Sequence, residues 1–292
     1  MPEREVRAAL ARHAATRALA NCPFEIVPGG LSNHAWRAGH AGESCFIRLG
    51  ASDAERLGVD RASECRMLAI AAAAGLAPQV IACDPASRLL VTRFVPGRHW
   101  SRTDAGDPRN LRRLGESLQR LHALPPTTDV RRLDFPVQAA QLEAGLAQHE
   151  SIPVALQGPA QGALEVLHAR QAPVTLCHND LHHLNVIDDG GRLWLVDWEY
   201  SGAGDPLFDL AGLICLHQLS GALRAAFLEA YGHPCLATGA ELDAACRLFD
   251  YVQWLWFRLW MARHPAAAGE YAERARMLAG RLGGTSGKRH YE

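Results

Sequence analysis

One segment, residues 178–200, constrains this chain more than any other. It reads His178-Asn179-Asp180-Leu181-His182-His183-Leu184-Asn185, then the apolar pair Val186-Ile187. A polar turn at residues 188–191 and a strand-like run at 193–196 follow, and Asp197-Trp198-Glu199-Tyr200 closes it. Another short apolar run, 174–177, precedes it. Two short apolar runs about a polar turn predict a hairpin. The hairpin then carries an Asp and an Asn before its first strand and a second Asp just past its last. Phosphoryl transfer from a nucleotide needs such a set. One group must orient or deprotonate the attacking hydroxyl, and hard oxygen ligands must hold magnesium against the phosphates. Asp180 fits the first role, and Asn185 and Asp197 fit the second. Singly, Asp and Asn are common turn formers; the spacing is informative because both flanking strands are present.

His178, His182 and His183 also raise the question of zinc, which wants at least three well-placed ligands. Cys177 would point to the opposite face of its strand from His178. His178 therefore reads better as a buried hydrogen-bonding residue that shapes the loop. The eight cysteines form no CxxC pair and stand mostly in apolar or helical contexts. They read as buried free thiols of a reducing compartment, not as a disulfide framework.

The remaining sequence divides into two kinds of pattern. Residues 4–20 predict a helix, then 24–27, 35–38 and 45–49 predict strands, with a glycine-bearing tip at 29–33. A helix over 60–74 ends at Gly75, and 79–83 and 89–94 read as further strands before Pro96-Gly97. Beyond that point the pattern is helical, at 111–124, 136–148 and 159–170. Helices continue from residue 206, with breaks near 232–234 and 264–265. The expectation is an α+β chain with one domain over 1–95, mostly sheet, and a second, mainly helical, over 96–292. Thirty basic residues against thirty-one acidic ones give no excess charge for nucleic acid. No secretory signal is visible, and the most apolar stretch, 251–261, contains Arg258 and is too short to span a bilayer. A cytoplasmic protein is expected, with no nucleic-acid or membrane partner.

The 178–185 segment resembles the catalytic loop of the choline kinase, thiamine kinase and aminoglycoside phosphotransferase superfamily, relatives of protein kinases. The family's HxDxxxxN is similar to His178-Asn179-Asp180 through Asn185, and its metal-binding Asp to Asp197. The Asp-Trp-Glu-Tyr form resembles the choline and thiamine kinase branch. The resemblance implies a protein-kinase-like two-lobed fold and an ATP- and magnesium-dependent kinase acting on a small-molecule hydroxyl, as monomer or homodimer. It implies Asp180 as the catalytic residue, and Asn185, Asp197 and the second acid Glu199 at the metal. Asp209 would brace the catalytic loop from a following helix. Residues 28–34 resemble the nucleotide loop, with Gly30, Ser32 and Asn33 near phosphates. Arg48, a charge within an apolar strand that is costly to bury unpaired, would contact phosphates and pair with Glu64. Phe94 and Val95 would lie at the hinge that receives adenine.

The acceptor is expected to face Asp180. Candidate acceptor residues are His182, Asp250 and the aromatic run with Trp254, Trp256 and Trp260, since aromatic rings attract a quaternary ammonium. These aromatics could equally be core. Choline and thiamine kinase-like sequences often carry an acid about seven residues after the Asp209 position; here Leu216 stands there, with His217 beside it. Choline, ethanolamine or thiamine is the favoured acceptor. An antibiotic or sugar kinase is the alternative, and a nucleotide-binding pseudokinase lacks support because no catalytic group is missing.

Overall fold

Alternating apolar residues in the first hundred positions build an antiparallel sheet. The computed structural model describes residues 2–28, 33–40, 42–52, 54, 58–170, 172–232, 239–265 and 269–284. Two units emerge. The first takes Met1–Trp100, Thr127–Arg131 and Leu184–Gly202. It holds α1 (Pro2–Arg12), β1 (Glu25–Ile26), β2 (His34–His40), β3 (Glu43–Leu49), α2 (Arg61–Ala73), β4 (Val80–Asp84), β5 (Leu89–Arg93) and β6 (Arg98–His99). To these it adds the hairpin β8 (Val186–Asp188) and β9 (Leu193–Leu195). The five-stranded sheet runs β1-β2-β3-β5-β4, and a small sheet runs β6-β8-β9. The segment carrying Asn185 and Asp197 thus belongs with the sheet unit, although its sequence position lies far beyond residue 95.

Strand alternation sorts β3 into two faces. Cys45, Ile47 and Leu49 join Val6 and Leu10 of α1 and Leu89 and Val91 of β5 in one apolar cluster. Burying each large aliphatic there stabilises by about 1.5–3 kcal/mol. Arg48 takes the other face, paired in register with Ala35 and Leu90, and is only 5% exposed. α2 starts at Asp60, whose side chain accepts from the Ser63 amide at 2.9 Å, and stops at Gly75, which adopts φ +70°.

Two expectations for this unit are corrected. Residues 4–20 are not one helix: α1 ends at Arg12, and a short 3-10 turn follows at Arg17–Asn21. The buried Thr16 hydroxyl donates to the Leu10 carbonyl at 2.9 Å, the local competition by which Ser and Thr end helices. The cysteines are not all free thiols, because Cys65 and Cys83 form a disulfide. α2 packs on β4 and brings their Cα atoms to 5.7 Å, an approach that sequence spacing does not reveal. Cys22, Cys45, Cys177, Cys215 and Cys246 are free, and Cys235 lies outside the described residues.

The second unit takes Ser101–Pro126, Arg132–His183 and Ala203–Glu292. It contains α3 (Pro108–His122), α4 (Phe135–Leu146), α5 (Val154–His168), α6 (Leu207–His217), α7 (Gly221–Tyr231), α8 (Gly239–Arg263) and α9 (Gly269–Leu282). Strands β7 (Thr175–Cys177) and β10 (Gly202–Gly204) pair beside them. α3 is set by Asp107 at its N-cap and Pro108 in its first turn, and buries Leu111, Leu114, Leu118 and Leu121. Gly115 lets α7 approach: a Cβ there would stand 2.9 Å from the Phe227 carbonyl oxygen. α5 begins at Val154, earlier than its expected start at 159, and carries Pro159 inside it. Among the described residues no helix is long and apolar enough to cross a membrane.

Candidate active site

In the sheet unit, a chain of charges grows from Arg48. Its Nη2 pairs with Glu64 of α2, and its Nη1 donates to Asp197 Oδ1 at 2.9 Å. Arg61, in the first turn of α2, donates from Nη1 to Glu64 Oε2 at 2.8 Å and to Glu199 Oε2 at 3.0 Å. Asn33 closes the chain. Its Nδ2 donates to Glu199 Oε2 at 3.1 Å, while its Oδ1 accepts from Arg61 Nη2 at 3.3 Å and from the Ala51 amide at 3.2 Å.

Three carboxylates and two guanidinium groups share this network. Burial alone would raise the Glu64 carboxyl, but Arg48 and Arg61 hold it below the usual range. Burial likewise works against the Arg48 charge, yet Glu64, Asp197 and Glu199 hold its pKa above the ordinary value. Asp197 moves the other way. Desolvation at its carboxyl end and the neighbouring Glu199 raise it, with Arg48 acting against them. Its side chain is 37% exposed, against 2% for Glu64, so it is the open member of the set.

The hairpin explains why Asn185 and Asp197 come together. Val186 pairs with Leu195, and the Val196 amide donates to the Asn185 carbonyl at 3.0 Å. The two ligand candidates therefore sit at the same end of the hairpin. Asp197 adopts φ +63°, a left-handed conformation costing about 1–2 kcal/mol for a residue with a Cβ. Trp198 holds the turn, with its Nε1 donating to the Leu195 carbonyl at 2.9 Å. Oxygen donors from Asn185, Asp197 and Glu199, in a network whose three carboxylates exceed its two guanidinium groups by one charge, suit a hard divalent cation such as magnesium.

In the helical unit, Asp209 of α6 holds the loop before Asp180. Its Oδ2 accepts from the His178 amide at 2.8 Å, and its Oδ1 from the Asn179 amide at 2.5 Å. His122 Nε2 lies 2.9 Å from Asp209 Oδ2, and His122 Nδ1 lies 2.7 Å from the Tyr231 hydroxyl. Burial would raise the Asp209 carboxyl, but these partners hold it below the usual range. Asn179 adopts φ +64°, and His178 is fully buried. Asp180 is 25% exposed, its Oδ2 3.9 Å from His182 Nε2. His122, Cys177 and Asp209 also lie close enough to share a metal. The His122 nitrogens are already engaged, however, and burial keeps the Cys177 thiol pKa well above its ordinary value.

The other expected site residues fall in varied places. Gly30 and Ser32 lie outside the described residues. The Phe94 amide donates to the Ser44 carbonyl at 2.9 Å, so that donor is engaged; the Val95 carbonyl accepts from Gly97 at 3.0 Å. Asp250 is buried, and its Oδ1 accepts from Arg281 at 2.6 Å. Trp254 stacks on Tyr251, and Trp256 and Trp260 meet Tyr271 edge-on. α9 folds onto α8 and supplies Tyr271 and Arg281. Trp254 and Trp260 are buried and Trp256 is part-buried, and Asp250 is ion-paired with Arg281. His182 stands beside Asp180, its Nε2 3.9 Å from the Asp180 carboxylate.

Sequence reasoning missed Arg61, His122 and Tyr231. Arg61 precedes Glu64 by three positions, a helix-face spacing that could have flagged it. Nothing local marks His122 or Tyr231, whose partners are supplied by helices distant in the chain.

The sequence model of the phosphotransferase enzyme family matches residues 23–245. The chain is 47% identical to Protein LicA of Haemophilus influenzae over 55 residues, 19% of this chain and 21% of that protein. It is 28% identical to choline/ethanolamine kinase of Rattus norvegicus over 230 residues, 70% of this chain and 56% of that protein. The matches thus span less than two thirds of either relative. Among solved structures, a choline/ethanolamine kinase family protein from Mesorhizobium loti superposes with a TM-score of 0.80 at 27% identity. That superposition covers 100% of this chain and 98% of the other. The chain has the kinase-like α+β fold of this neighbour.

Proposed function

Because the chain belongs to the phosphotransferase enzyme family, we propose that it moves the terminal phosphate of ATP, with magnesium, onto a hydroxyl of a small molecule. The observation that carries this reading is the buried network in which Arg48 joins Glu64 to Asp197. It supports the reading because a phosphate-binding cation and metal-binding carboxylates are what phosphoryl transfer needs, there being little covalent chemistry for the protein to perform.

Asn185 and Asp197, with Glu199 behind them, would hold the magnesium, which when bound spreads charge over the phosphates. Arg48, held between Glu64 and Asp197, would meet a phosphate oxygen. Asp180 accepts or orients the proton of the acceptor hydroxyl. Asp209 is a positioning residue that acts through the amides of His178 and Asn179. The names of the relatives make choline and ethanolamine the first acceptors to test, and thiamine joins them by the sequence resemblance.

The test is an ADP-release assay on the full chain with ATP and a panel of small alcohols, with and without magnesium. Acceptor-dependent ADP release that vanishes on chelation is expected. Failure to bind nucleotide in the presence of magnesium would sink the proposal.

A further inference from the structure

In the sheet unit the two oxygens of Glu199 are used unequally. Oε2 accepts from Arg61 Nη1 at 3.0 Å and from Asn33 Nδ2 at 3.1 Å, with Arg48 Nη1 3.9 Å away. Among the described residues no hydrogen bond engages Oε1. Arg48 Nη1 also donates to Asp197 Oδ1, so the Asp197 and Glu199 carboxylates converge on one guanidinium nitrogen.

The two donors to Oε2 are themselves fixed. Arg61 Nη2 donates to Asn33 Oδ1 at 3.3 Å, and the Ala51 amide donates to the same oxygen at 3.2 Å. Both ends of the Asn33 amide are therefore committed. The Arg61 side chain is 8% exposed and also donates to Glu64 Oε2 at 2.8 Å. Gly50 makes room for its guanidinium: a Cβ at that position would stand 2.7 Å from Arg61 Nη2. The Gly50 backbone is held in place, its amide donating to the Arg88 carbonyl at 2.9 Å and its carbonyl accepting from Arg88 Nη1 at 2.8 Å. A planar fork that bonds Glu64, Glu199 and Asn33 at once needs arginine, whereas charge balance alone would need only a cation.

We propose that Arg61 and Asn33 are positioning residues, which hold Glu199 by Oε2 and leave Oε1 alone to meet a divalent cation. The assignment rests on the phosphotransferase reading. It also takes the Asn33 side chain away from the phosphates and gives it to the carboxylate. One oxygen in a set orientation suits magnesium, which demands near-ideal octahedral geometry. A carboxylate already oriented by hydrogen bonds need not be ordered when the cation arrives.

The experiment is calorimetric titration of the full chain with the non-hydrolysable ATP analogue AMP-PNP, in magnesium and in EDTA. The ratio of the two affinities is the metal-dependent gain. Asn33→Ala and Arg61→Lys both keep the net charge, and each should cut the gain about tenfold or more. Gly50→Ala, which crowds the guanidinium, should cut it as well. With Glu199→Gln in place, adding Asn33→Ala should cut nothing further, because the carboxylate it served is gone. Asn33 is partly exposed and its variant leaves the Arg61–Glu64 pair intact, so Asn33→Ala reads the proposal even where Arg61→Lys fails to fold. A full gain in Asn33→Ala overturns the proposal and leaves the phosphotransferase reading standing. Equal loss of affinity with and without metal in Asn33→Ala also overturns it, by making Asn33 a phosphate ligand. A full gain in a folded Arg61→Lys would reduce Arg61 to a balancing charge and overturn its part. A wild type that binds AMP-PNP no better with metal, or not at all, overturns both readings.

Discussion

At the residue scale, chemistry and stability rest on different members of the site. Asp180 is partly exposed and 3.9 Å from His182. Asp180→Asn is expected to bind nucleotide normally while turnover falls by roughly 10²–10⁴, the range for losing a general base. Unaltered kcat would remove Asp180 from the mechanism. Arg48 is the reverse case. Its partner Glu64 is 2% exposed; stripping a buried charge of every partner costs about 3–5 kcal/mol, but Arg61 also holds Glu64, at 2.8 Å, so losing Arg48 alone costs less. Arg48→Met should lower the unfolding free energy, read as a lower urea midpoint, by less than that full cost, because Arg61 stays paired with Glu64. Asp197, open to solvent over a third of its side chain, is screened and adds little to the loss. A midpoint equal to wild type would show that the network does not hold the sheet unit together.

At the element scale, the disulfide decides how firmly α2 is fixed. Cys65 follows Glu64 directly, and its bridge to Cys83 closes a loop across a sequence separation of 18. Closing a loop of that size stabilises by about 3 kcal/mol through the unfolded chain. Dithiothreitol should therefore lower the melting temperature of the wild type. A Cys65→Ser, Cys83→Ser double variant should melt at the lower temperature with or without the reductant. Equal melting of oxidised and reduced wild type would mean that α2 is held by packing alone. This bridge was illegible in the sequence because two cysteines 18 residues apart meet only once a helix has packed across a strand. The helix itself was legible, since Asp60, the apolar positions 67, 68 and 71, and Gly75 are all local signals.

At the scale of the whole molecule, acid should weaken the fold before Glu64 and Asp209 are protonated. His182 and His217 are held near 3 and 4 when folded, against about 6.5 in an unfolded chain. Between those values the unfolded chain binds more protons, so stability falls as pH drops from about 6.5 towards 4. Glu64 and Asp209, lowered when folded, contribute stability above their unfolded values and lose it only in stronger acid. Asp197, raised when folded, acts in the opposite direction, and a single histidine substitution separates the two effects. The melting temperature should drop between pH 7.5 and 5, and drop less in His217→Gln. The same drop in both proteins would show that His217 is not the group that takes up the proton.

What the sequence alone determined is what neighbouring residues decide between themselves. The spacing from Asp180 through Asn185 to Asp197 is a hairpin property, and a hairpin closes on itself. Arg48 inside an apolar strand announced a buried charge that must find an acid, and Glu64 proved to be that acid. Tertiary structure decided everything that needed a partner from far along the chain. It joined Arg61 and Asn33 to Glu199, set Asp209 between His122 and the catalytic loop, and bridged Cys65 to Cys83. It also laid Tyr271 of α9 against Trp256 and Trp260 of α8. Periodicity shows that a face is apolar but not what will cover it, because that depends on which distant element arrives.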